Sequence, residues 1–467
     1  MPHLVNSRFL KRGERRRPVG AGIAAALALA SLAVGASPAA AATYQVPSTI
    51  ASDCSVDVTS PLVSWISSVP NNSTLSFGTN ACYRIEGTIE FSGRTGLDFE
   101  GNGSTFRSFN APADTRAIWR AWQSSGLIFQ NMTITGSYAS GGTFTYSLQH
   151  AHGIDLRGTG AEIANVTIGS VAGDCVYFGL GSDNTTRSSG SFHNSTCNGT
   201  SRNGVSITGG NNVLVQHVTV GAIGYDTFDV EPNATTGNWG AQNVTFDSNT
   251  VGSYALNIFS VVPNAPLSNL NFTNNVMNGV GLKIATGSTT TTANRPQGVT
   301  ITGNSSNTAV APSAMNLSSI DGLSVTGNTV PMTSASMASV DTSCSINIAS
   351  NSYPGGSSQD YVSPYSSCSS NGTTTTTTPP PPPTLTITSP AAGSTVSGTK
   401  ATVSASASST AVKVSIYIDG TLAASATGTS INWGWNLRKV SSGSHTITVD
   451  AWDANNKIGS SAETVYK

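Results

Sequence analysis

The stretch "RNGVSITGGNNVLVQHVTVGAIGYDTFDV", residues 202–230, decides the fold. It contains a short strand, GVSI (204–207), then a Gly/Asn turn and a second strand, HVTV (217–220), before the first strand type returns as TFDV (227–230). Apolar and polar residues alternate in each strand, as in a strand that buries one face. Strands this short cannot fold alone, so the stretch predicts one coil of a stacked repeat.

Both strand types recur along the chain. The second type returns as NVTI (165–168), NVTF (243–246), NLNF (269–272), GVTI (298–301) and GLSV (322–325), and the first as GIDL (153–156), CVYF (175–178), ALNI (255–258), GLKI (281–284) and AMNL (314–317). A β-sandwich is the alternative, but it would join adjacent strands by hairpins, whereas long loops separate these strands. We therefore predict an all-β chain with a parallel β-helix, a solenoid, over residues 43–370.

Residues 1–42 have the pattern of a secretory signal peptide. Six basic side chains precede the apolar run AGIAAALALASLAVGA, and small residues follow it. A membrane anchor is the alternative interpretation, but the run is rich in Ala and Gly. We predict cleavage, a secreted extracellular product and no stable membrane insertion, because no other segment is apolar for long enough to span a bilayer.

Charge and cysteine content limit the classes of partner. Without residues 1–42 the chain keeps 16 basic and 22 acidic side chains, which argues against nucleic acid as a partner. The six cysteines are an even number, which in an oxidising compartment indicates disulfides. Pairing of neighbours is the simplest of the 15 connectivities and predicts Cys54–Cys82, Cys175–Cys197 and Cys344–Cys368.

A second domain follows a spacer. Residues 371–383, NGTTTTTTPPPPP, cannot pack a core and favour an extended polyproline linker. Residues 384–467 contain short alternating strands with frequent turn signals, which predict a small immunoglobulin-like β-sandwich. Trp435 and Trp452 are candidates for stacking on sugars, but a Trp of such a module more often belongs to its core.

Two sets of motifs carry a family resemblance. The opening ACYRIEGTIEFSGRTGLDFEGNGSTFRSF (81–109) and the motifs HGIDL, GDCVYF, SRNGVSI and FDVEPN resemble the pectate-lyase-like, right-handed parallel β-helix superfamily. The C-terminal part resembles bacterial immunoglobulin-like modules of secreted enzymes. The resemblance implies a polysaccharide or the cell wall as partner, with hydrolases, lyases and non-catalytic proteins all represented.

Alternation along the strands predicts which side chains point out of the coils. Ile154 and Leu156 point inward, so Asp155 and Arg157 point outward. The same register predicts an outer row of Asp155, Tyr177, Ser206, Asp229, Asn257, Lys283 and Asn316, a second row of Arg157, Gly179, Thr208, Glu231 and Phe259, and a group before the strands formed by Asp174, Arg202 and Asp226.

These rows suggest hydrolysis by paired carboxyl groups. Asp174 and Asp226 lie roughly 10 Å apart if they occupy equivalent positions two coils apart, near the spacing that an inverting glycosidase needs. We predict Asp174 with Asp226 or Asp229 as the acid and base, and His152, Asp155 and Tyr177 as substrate-binding residues.

A polysaccharide lyase is the other enzymatic hypothesis. In it Asp226, Asp229 and Glu231 form a candidate calcium site, and Arg202 or Lys283, the one lysine of residues 43–370, is the base. No cofactor other than calcium is suggested.

Non-catalytic binding of a polysaccharide or cell wall by a monomeric rod is the remaining alternative. The resemblance to hydrolases of the polygalacturonase type is incomplete, because Cys175 replaces the second acid of their GDD motif. Asp229 and Glu231 are then a solvated face paired with Arg202.

Overall fold

The computed structural model describes residues 42–138, 143–232, 240–287, 294–309, 314–331, 338–352, 354, 361–364, 385–407, 411–452 and 457–467. Residues 1–41 of the predicted signal peptide and the predicted linker 371–383 lie outside this set.

The β-helix consists of short strands connected by turns and loops. Its strands through the first coils are β1 (Ala42–Gln45), β2 (Asp53–Asp57), β3 (Ser73–Ser76), β4 (Cys82–Arg84), β5 (Ile89–Ser92), β6 (Asp98–Glu100), β7 (Thr105–Arg107), β8 (Trp119–Ser125) and β9 (Ile128–Thr135). The next are β10 (Ile154–Thr159), β11 (Ala161–Val171), β12 (Val176–Phe178), β13 (Ser188–His193), β14 (Thr196–Thr200), β15 (Val205–Ile207), β16 (Gly210–Gln216), β17 (Thr219–Ile223), β18 (Phe228–Val230), β19 (Ala241–Asp247) and β20 (Thr250–Val251). The last are β21 (Phe259–Val261), β22 (Leu267–Thr273), β23 (Val276–Gly281), β24 (Ile284–Thr286), β25 (Gln297–Thr302), β26 (Ser305–Thr308), β27 (Met315–Ser318), β28 (Asp321–Thr326), β29 (Ala338–Ala349) and β30 (Tyr361–Pro364).

All pairings between these strands are parallel, and they form three sheets that run the length of the coils. Sheet 1 contains β13, β16, β19, β22, β25 and β28, and sheet 2 contains β14, β17, β20, β23 and β26. Sheet 3 contains β5, β8, β10, β12, β15, β18, β21, β24 and β27. Each strand pairs with its equivalent one coil later, so the predicted parallel β-helix is confirmed.

The interior of the coils is apolar and rich in stacked aromatic rings. Val176, Val205 and Phe228 point inward with no exposed surface, as the alternation predicted. The rings of Phe99 and Phe129, equivalent residues of β6 and β9, stack with centroids 4.8 Å apart. Stacking of equivalent side chains from coil to coil fills the narrow core with large apolar area.

A helix precedes β3, which departs from the all-β chain that the sequence predicts. Helix α1 (Thr59–Ser68) buries Leu62, Trp65 and Ile66 and packs against β5. Its apolar residues are too few for a clear helical period, so the pattern was missed. Trp65 meets the ring of Phe77 edge to face at 5.3 Å, so the helix closes the apolar interior at the first coils.

A ladder of asparagines, one in each of five coils, continues the core on one side. Its members are Asn249, Asn275, Asn304, Asn328 and Asn351. The Oδ1 of Asn304 accepts from the backbone N–H of Asn275 at 2.9 Å, and its Nδ2 donates to the carbonyl of Phe272 at 2.8 Å. Each side chain therefore satisfies buried backbone groups of the preceding coil, which would otherwise be unpaired.

We expect Asn304→Ala to lower the free energy of unfolding of the β-helix by about 1–3 kcal/mol, because it leaves buried donors and acceptors of two coils without partners. Urea unfolding followed by circular dichroism measures the change. Asn198→Ala is the matched control, since Asn198 is an exposed asparagine of β14 and its replacement should change stability by less than about 0.5 kcal/mol. Equal stability of the two variants would refute the role of the ladder.

Two of the predicted disulfides are present. Cys54 bonds to Cys82 and Cys175 bonds to Cys197, so both pairings are confirmed. Cys344 is also disulfide-bonded, but its predicted partner Cys368 lies outside the described residues. Cys175 directly follows Asp174, so its bridge fixes the backbone next to one of the candidate catalytic residues.

The C-terminal domain is a small sandwich of two antiparallel sheets. Its strands are β31 (Leu385–Ser389), β32 (Lys400–Ala407), β33 (Lys413–Ile418), β34 (Thr421–Thr427), β35 (Ser430–Asn436), β36 (Ser444–Trp452) and β37 (Lys457–Tyr466). One sheet has the order β31-β32-β35 and the other β34-β33-β36-β37. Trp435 belongs to the core between them, whereas Trp452 is half-buried under the ammonium group of Lys413 at 4.7 Å. The predicted immunoglobulin-like architecture is confirmed.

Candidate functional site

The outer face of sheet 3 brings four of the predicted residues into one row. Cα pairing runs from Asp155 to Tyr177, then to Ser206 and Asp229. The next residue of the row is Ser260, one coil beyond Asp229. Neighbouring coils are about 4.8 Å apart, so each of these side chains can touch the next.

In the two coils after Asp229 the predicted register is wrong, whereas Asn316 pairs with Ala285 and lies in the row as predicted. Phe259, predicted to point outward, pairs with Phe228 and is a core residue with no exposed surface. Ile284 pairs with Phe259, so Ala285, not Lys283, continues the row. The segment ALNIFSVV alternates equally well from Leu256 or from Phe259, and the loop before it has no fixed length, so alternation alone could not choose the register.

Lys283 therefore does not lie in the outer row of sheet 3, the position from which it was predicted to act as a base. It lies one residue before β24, half-buried, and its backbone carbonyl accepts from the N–H of Ile258. In the described part of the chain it forms no ion pair with Asp226, Asp229 or Glu231.

A buried polar ladder runs just before the strands of sheet 3. Its members in successive coils are His152, Asp174, Asn203, Asp226 and Asn257. The backbone N–H of each residue donates to the side chain one coil earlier, over 2.9 to 3.1 Å. Asp174 and Asp226 thus occupy equivalent positions two coils apart, roughly 10 Å from one another. Asn257, predicted in the outer row, belongs to this ladder instead.

Arg202 lies at the centre of the carboxyl groups. Its Nη1 is 3.1 Å from Asp174 Oδ2, and its Nη2 is 3.9 Å from Asp229 Oδ2 and 3.6 Å from Glu231 Oε2. Asn203 Nδ2 donates to Asp229 Oδ2 at 3.1 Å. One guanidinium therefore holds three carboxyl groups from neighbouring coils in a fixed arrangement.

Burial raises the proton affinity of two of the acids. It raises the pKa of Asp226 to about 6, although Asn257 and Ser260 donate hydrogen bonds to that carboxyl group. Burial also raises the pKa of Asp229 well above its usual value; Arg202 opposes the shift, and the neighbouring carboxylates add to it. The side chain of Glu231, by contrast with both aspartates, is 36% exposed. The site thus combines a buried carboxyl group of raised pKa with an accessible carboxyl group.

The carboxyl groups do not fit the predicted calcium site. Among the described residues, no group of three or more His, Cys, Asp or Glu side chains is arranged to hold a metal ion. Oδ1 of Asp226 accepts from the backbone and side chain of Asn257, while Asp229 and Glu231 face Arg202. A cation at their centre would therefore compete with the guanidinium group for the same oxygens.

The residues predicted to bind substrate are buried. Asp155 has no exposed surface and pairs with Arg120 and Arg157, each at 2.8 Å. The ring of Tyr177 packs directly against Gly179. A side chain at position 179 would place its Cβ 2.4 Å from Cε1 of that ring. The Tyr177 hydroxyl accepts from Thr208 at 2.6 Å. These contacts stabilise the packing over the outer face of sheet 3. They leave almost none of Asp155 or Tyr177 exposed to a polysaccharide.

His152 is also inaccessible, and its ring is neutral. It stacks on Tyr177 with centroids 4.6 Å apart. Burial lowers its pKa to about 3 despite the nearby Asp174 carboxylate, so Nδ1 is free to accept the backbone N–H of Asp174. The ring therefore positions Asp174, and proton transfer to a substrate at neutral pH is not supported by this geometry.

Sequence reasoning missed Arg120, Trp122 and Asn203. Arg120 and Trp122 extend the two outer rows one coil before Asp155 and Arg157, and Arg157 lies 4.5 Å above the Trp122 ring. Their signal was the alternation in IWRAW (118–122), a strand of the same type as GIDL. Asn203 gave no signal, because its role depends on contacts with both neighbouring coils.

Residues 383–449 match the bacterial Ig domain family. This match agrees with the antiparallel sandwich described above. A search of curated proteins finds no relative. Two disulfides and an immunoglobulin-like domain suggest a protein located outside the cytoplasm. Within the described ranges, no helix has the length and apolar character needed to cross a membrane.

Several solved β-helix structures are similar to this chain at low sequence identity. An α-1,3-glucanase catalytic unit from Streptomyces thermodiastaticus is 15% identical, with 72% of each chain covered and a TM-score of 0.42. An alginate lyase from Paenibacillus is 12% identical, with 69% of this chain and 98% of that one covered and a TM-score of 0.40. A surface adhesin of Streptococcus pneumoniae is 9% identical, with 67% and 91% covered and a TM-score of 0.40.

Proposed function

We propose that the protein is a secreted hydrolase of an extracellular polysaccharide, with Asp229 as general acid and Glu231 as general base. One observation carries the proposal. A buried carboxyl group with a strongly raised pKa lies on the same strand face as a carboxyl group that is 36% exposed. Acid/base hydrolysis of a glycoside uses one carboxyl group as the proton donor and a second one as the base that activates water, and a raised pKa suits the proton donor.

The spacing of the pair favours inversion. Asp229 and Glu231 are two residues apart on one extended segment, so their Cα atoms are about 7 Å apart, and an oxygen of each carboxyl group lies 3.9 and 3.6 Å from the same Nη2 of Arg202. Inverting glycosidases place their carboxyl groups about 6.5–9.5 Å apart, which leaves room for a water molecule, whereas retaining enzymes need about 5–5.5 Å. In this mechanism Asp229 protonates the leaving oxygen, and Glu231 takes a proton from the attacking water.

Asp174 has a different role from the one predicted from the sequence. It has no exposed surface and accepts hydrogen bonds from Asn203 and Arg202, so it cannot touch a polysaccharide. We assign it to holding Arg202. Asp226 is as little exposed as Asp229, at 3% each, but its Oδ1 already accepts the backbone and side-chain N–H groups of Asn257. We assign it to raising the pKa of Asp229, to which its carboxylate contributes when ionised.

Digestion of a polysaccharide panel tests the proposal. We expect new reducing ends without the ultraviolet absorbance of unsaturated sugars, unchanged by a calcium chelator, and inversion at the anomeric carbon as followed by NMR. Absorbance that appears with the reducing ends would mean β-elimination and would overturn the assignment of Asp229 and Glu231. Retention of the anomeric configuration would contradict the spacing argument.

A non-catalytic binding protein is the second candidate. Its support is the low exposure of Asp226 and Asp229, both 3%, which is typical of carboxyl groups that stabilise a fold. This function predicts that the protein sediments with a polysaccharide or with cell walls and releases no reducing ends from any member of the panel.

A further inference from the structure

Three aromatic side chains from two distant segments meet at the surface. Phe144 and Tyr146 come from the segment before β10, and Tyr225 precedes β18. The rings of Phe144 and Tyr225 lie 5.0 Å apart at 34°, and those of Phe144 and Tyr146 lie 6.3 Å apart. Tyr146 is 74% exposed and Tyr225 is 39% exposed. Clusters of large, solvent-exposed aromatic rings are characteristic of binding surfaces.

This aromatic cluster adjoins the carboxyl groups. Tyr225 directly precedes Asp226, and its backbone N–H donates to the carbonyl of Arg202 at 2.9 Å. Partial burial raises the pKa of the Tyr225 hydroxyl, and Asp226, Asp229 and Glu231 raise it further. A ligand that lies on the exposed rings is therefore beside the turn that leads into β18, the strand that carries Asp229.

The charges of the surrounding face favour an uncharged ligand. Arg202 is already paired with three carboxyl groups, and Arg120 and Arg157 share Asp155. Arg120 also pairs with Glu90. Each of these guanidinium groups is neutralised by protein carboxylates, while the accessible Glu231 would repel a polyuronate.

We propose that Phe144, Tyr146 and Tyr225 form a stacking subsite for an uncharged polysaccharide of pyranose sugars. The apolar C–H face of a pyranose ring packs on an aromatic face, which suits rings that bring large apolar area and no charge. The inference rests on the proposed function for its position next to the reacting bond, but binding can be measured without hydrolysis.

Affinity electrophoresis separates binding from catalysis. The full chain carrying Glu231→Gln is run in gels that contain laminarin, dextran, xylan or soluble starch as neutral polymers, and polygalacturonate or alginate as anionic ones. We expect at least one neutral polymer to retard the protein. Adding Tyr146→Ala should weaken that retardation about tenfold, the effect of losing one well-packed aromatic contact. Tyr146 is mostly in water, so its replacement should leave folding intact.

Tyr44→Ala is the matched control. Tyr44 is 37% exposed and lies on β1, away from sheet 3, so its replacement should leave the retardation unchanged. Tyr225→Ala provides a second test, with circular dichroism and thermal unfolding used to confirm its fold.

The outcomes distinguish the subsite from the proposed hydrolysis. Retardation by a neutral polymer that depends on Tyr146, without hydrolysis by the unmodified protein, supports the subsite and rejects the enzyme. Retardation that Tyr146→Ala and Tyr225→Ala leave unchanged overturns the subsite even if hydrolysis is found. Retardation by anionic polymers alone, or by none, overturns the proposed ligand class.

Discussion

Replacing Glu231 with Gln should lower the rate of polysaccharide hydrolysis by about 10²–10⁴-fold, the usual contribution of a general base. The amide has nearly the shape of the carboxylate but cannot take a proton from water. Asp229→Asn should cause a loss of the same order, because an amide cannot protonate the leaving oxygen. Reducing-end release at substrate saturation measures both effects.

Glu90→Gln is the matched control for this prediction. Glu90 also lies on the outer face of sheet 3, its side chain is 49% exposed, and it pairs with Arg120 at 3.3 Å. We expect its replacement to leave the rate within twofold of the unmodified protein, because surface pairs of this kind contribute about 0–1 kcal/mol. A Glu231→Gln variant as active as Glu90→Gln would rule out the assigned base.

Replacing Arg202 with Met should have the largest effect on stability. The guanidinium is mostly buried and compensates Asp174 and Asp229, which have almost no contact with solvent. Removing one partner of a buried ion pair typically destabilises a protein by about 3–5 kcal/mol. Urea unfolding at neutral pH measures the loss, and Arg107→Met is the control, because Arg107 is an exposed arginine of β7.

The effect of Arg202→Met should also depend on pH. Asp229 has a folded-state pKa raised above its value in the unfolded chain. The contribution of protonated Asp229 to the free energy of unfolding is therefore fully present below 3.8, the pKa of the unfolded chain. It is lost as the pH rises toward the pKa of the folded protein. Without Arg202 this loss grows, so the destabilisation should be larger at pH 7 than at pH 3. A difference that is constant with pH would show that lost packing, not charge, dominates.

The architecture was predictable because its signals are local. Alternation in GVSI, HVTV and TFDV identifies strands, and their return along the chain implies stacking without knowledge of any contact. The disulfides Cys54–Cys82 and Cys175–Cys197 followed from neighbour pairing. The composition of residues 371–383 predicts the boundary between the sandwich and the β-helix, and these residues lie outside the described part of the chain.

The site was only partly predictable, because its contacts join different coils. Asp155, Tyr177 and Asp229 were placed in one row because their strands have an unambiguous alternation. Lys283 was misplaced where two registers fit the same apolar run. The meeting of Phe144 with Tyr225 had no signal at all, since the two residues are 81 positions apart in sequence and connected through loops of variable length.

Helix α1 bears on how the β-helix behaves in concentrated solution. A stack of parallel strands ends in a strand whose free N–H and C=O groups can template a further copy, which is the geometry of fibre growth. By packing Leu62, Trp65 and Ile66 at the first coils and lying against β5, α1 covers the first strand of sheet 3. The helix thus removes one of the strand edges at which another molecule could add end to end.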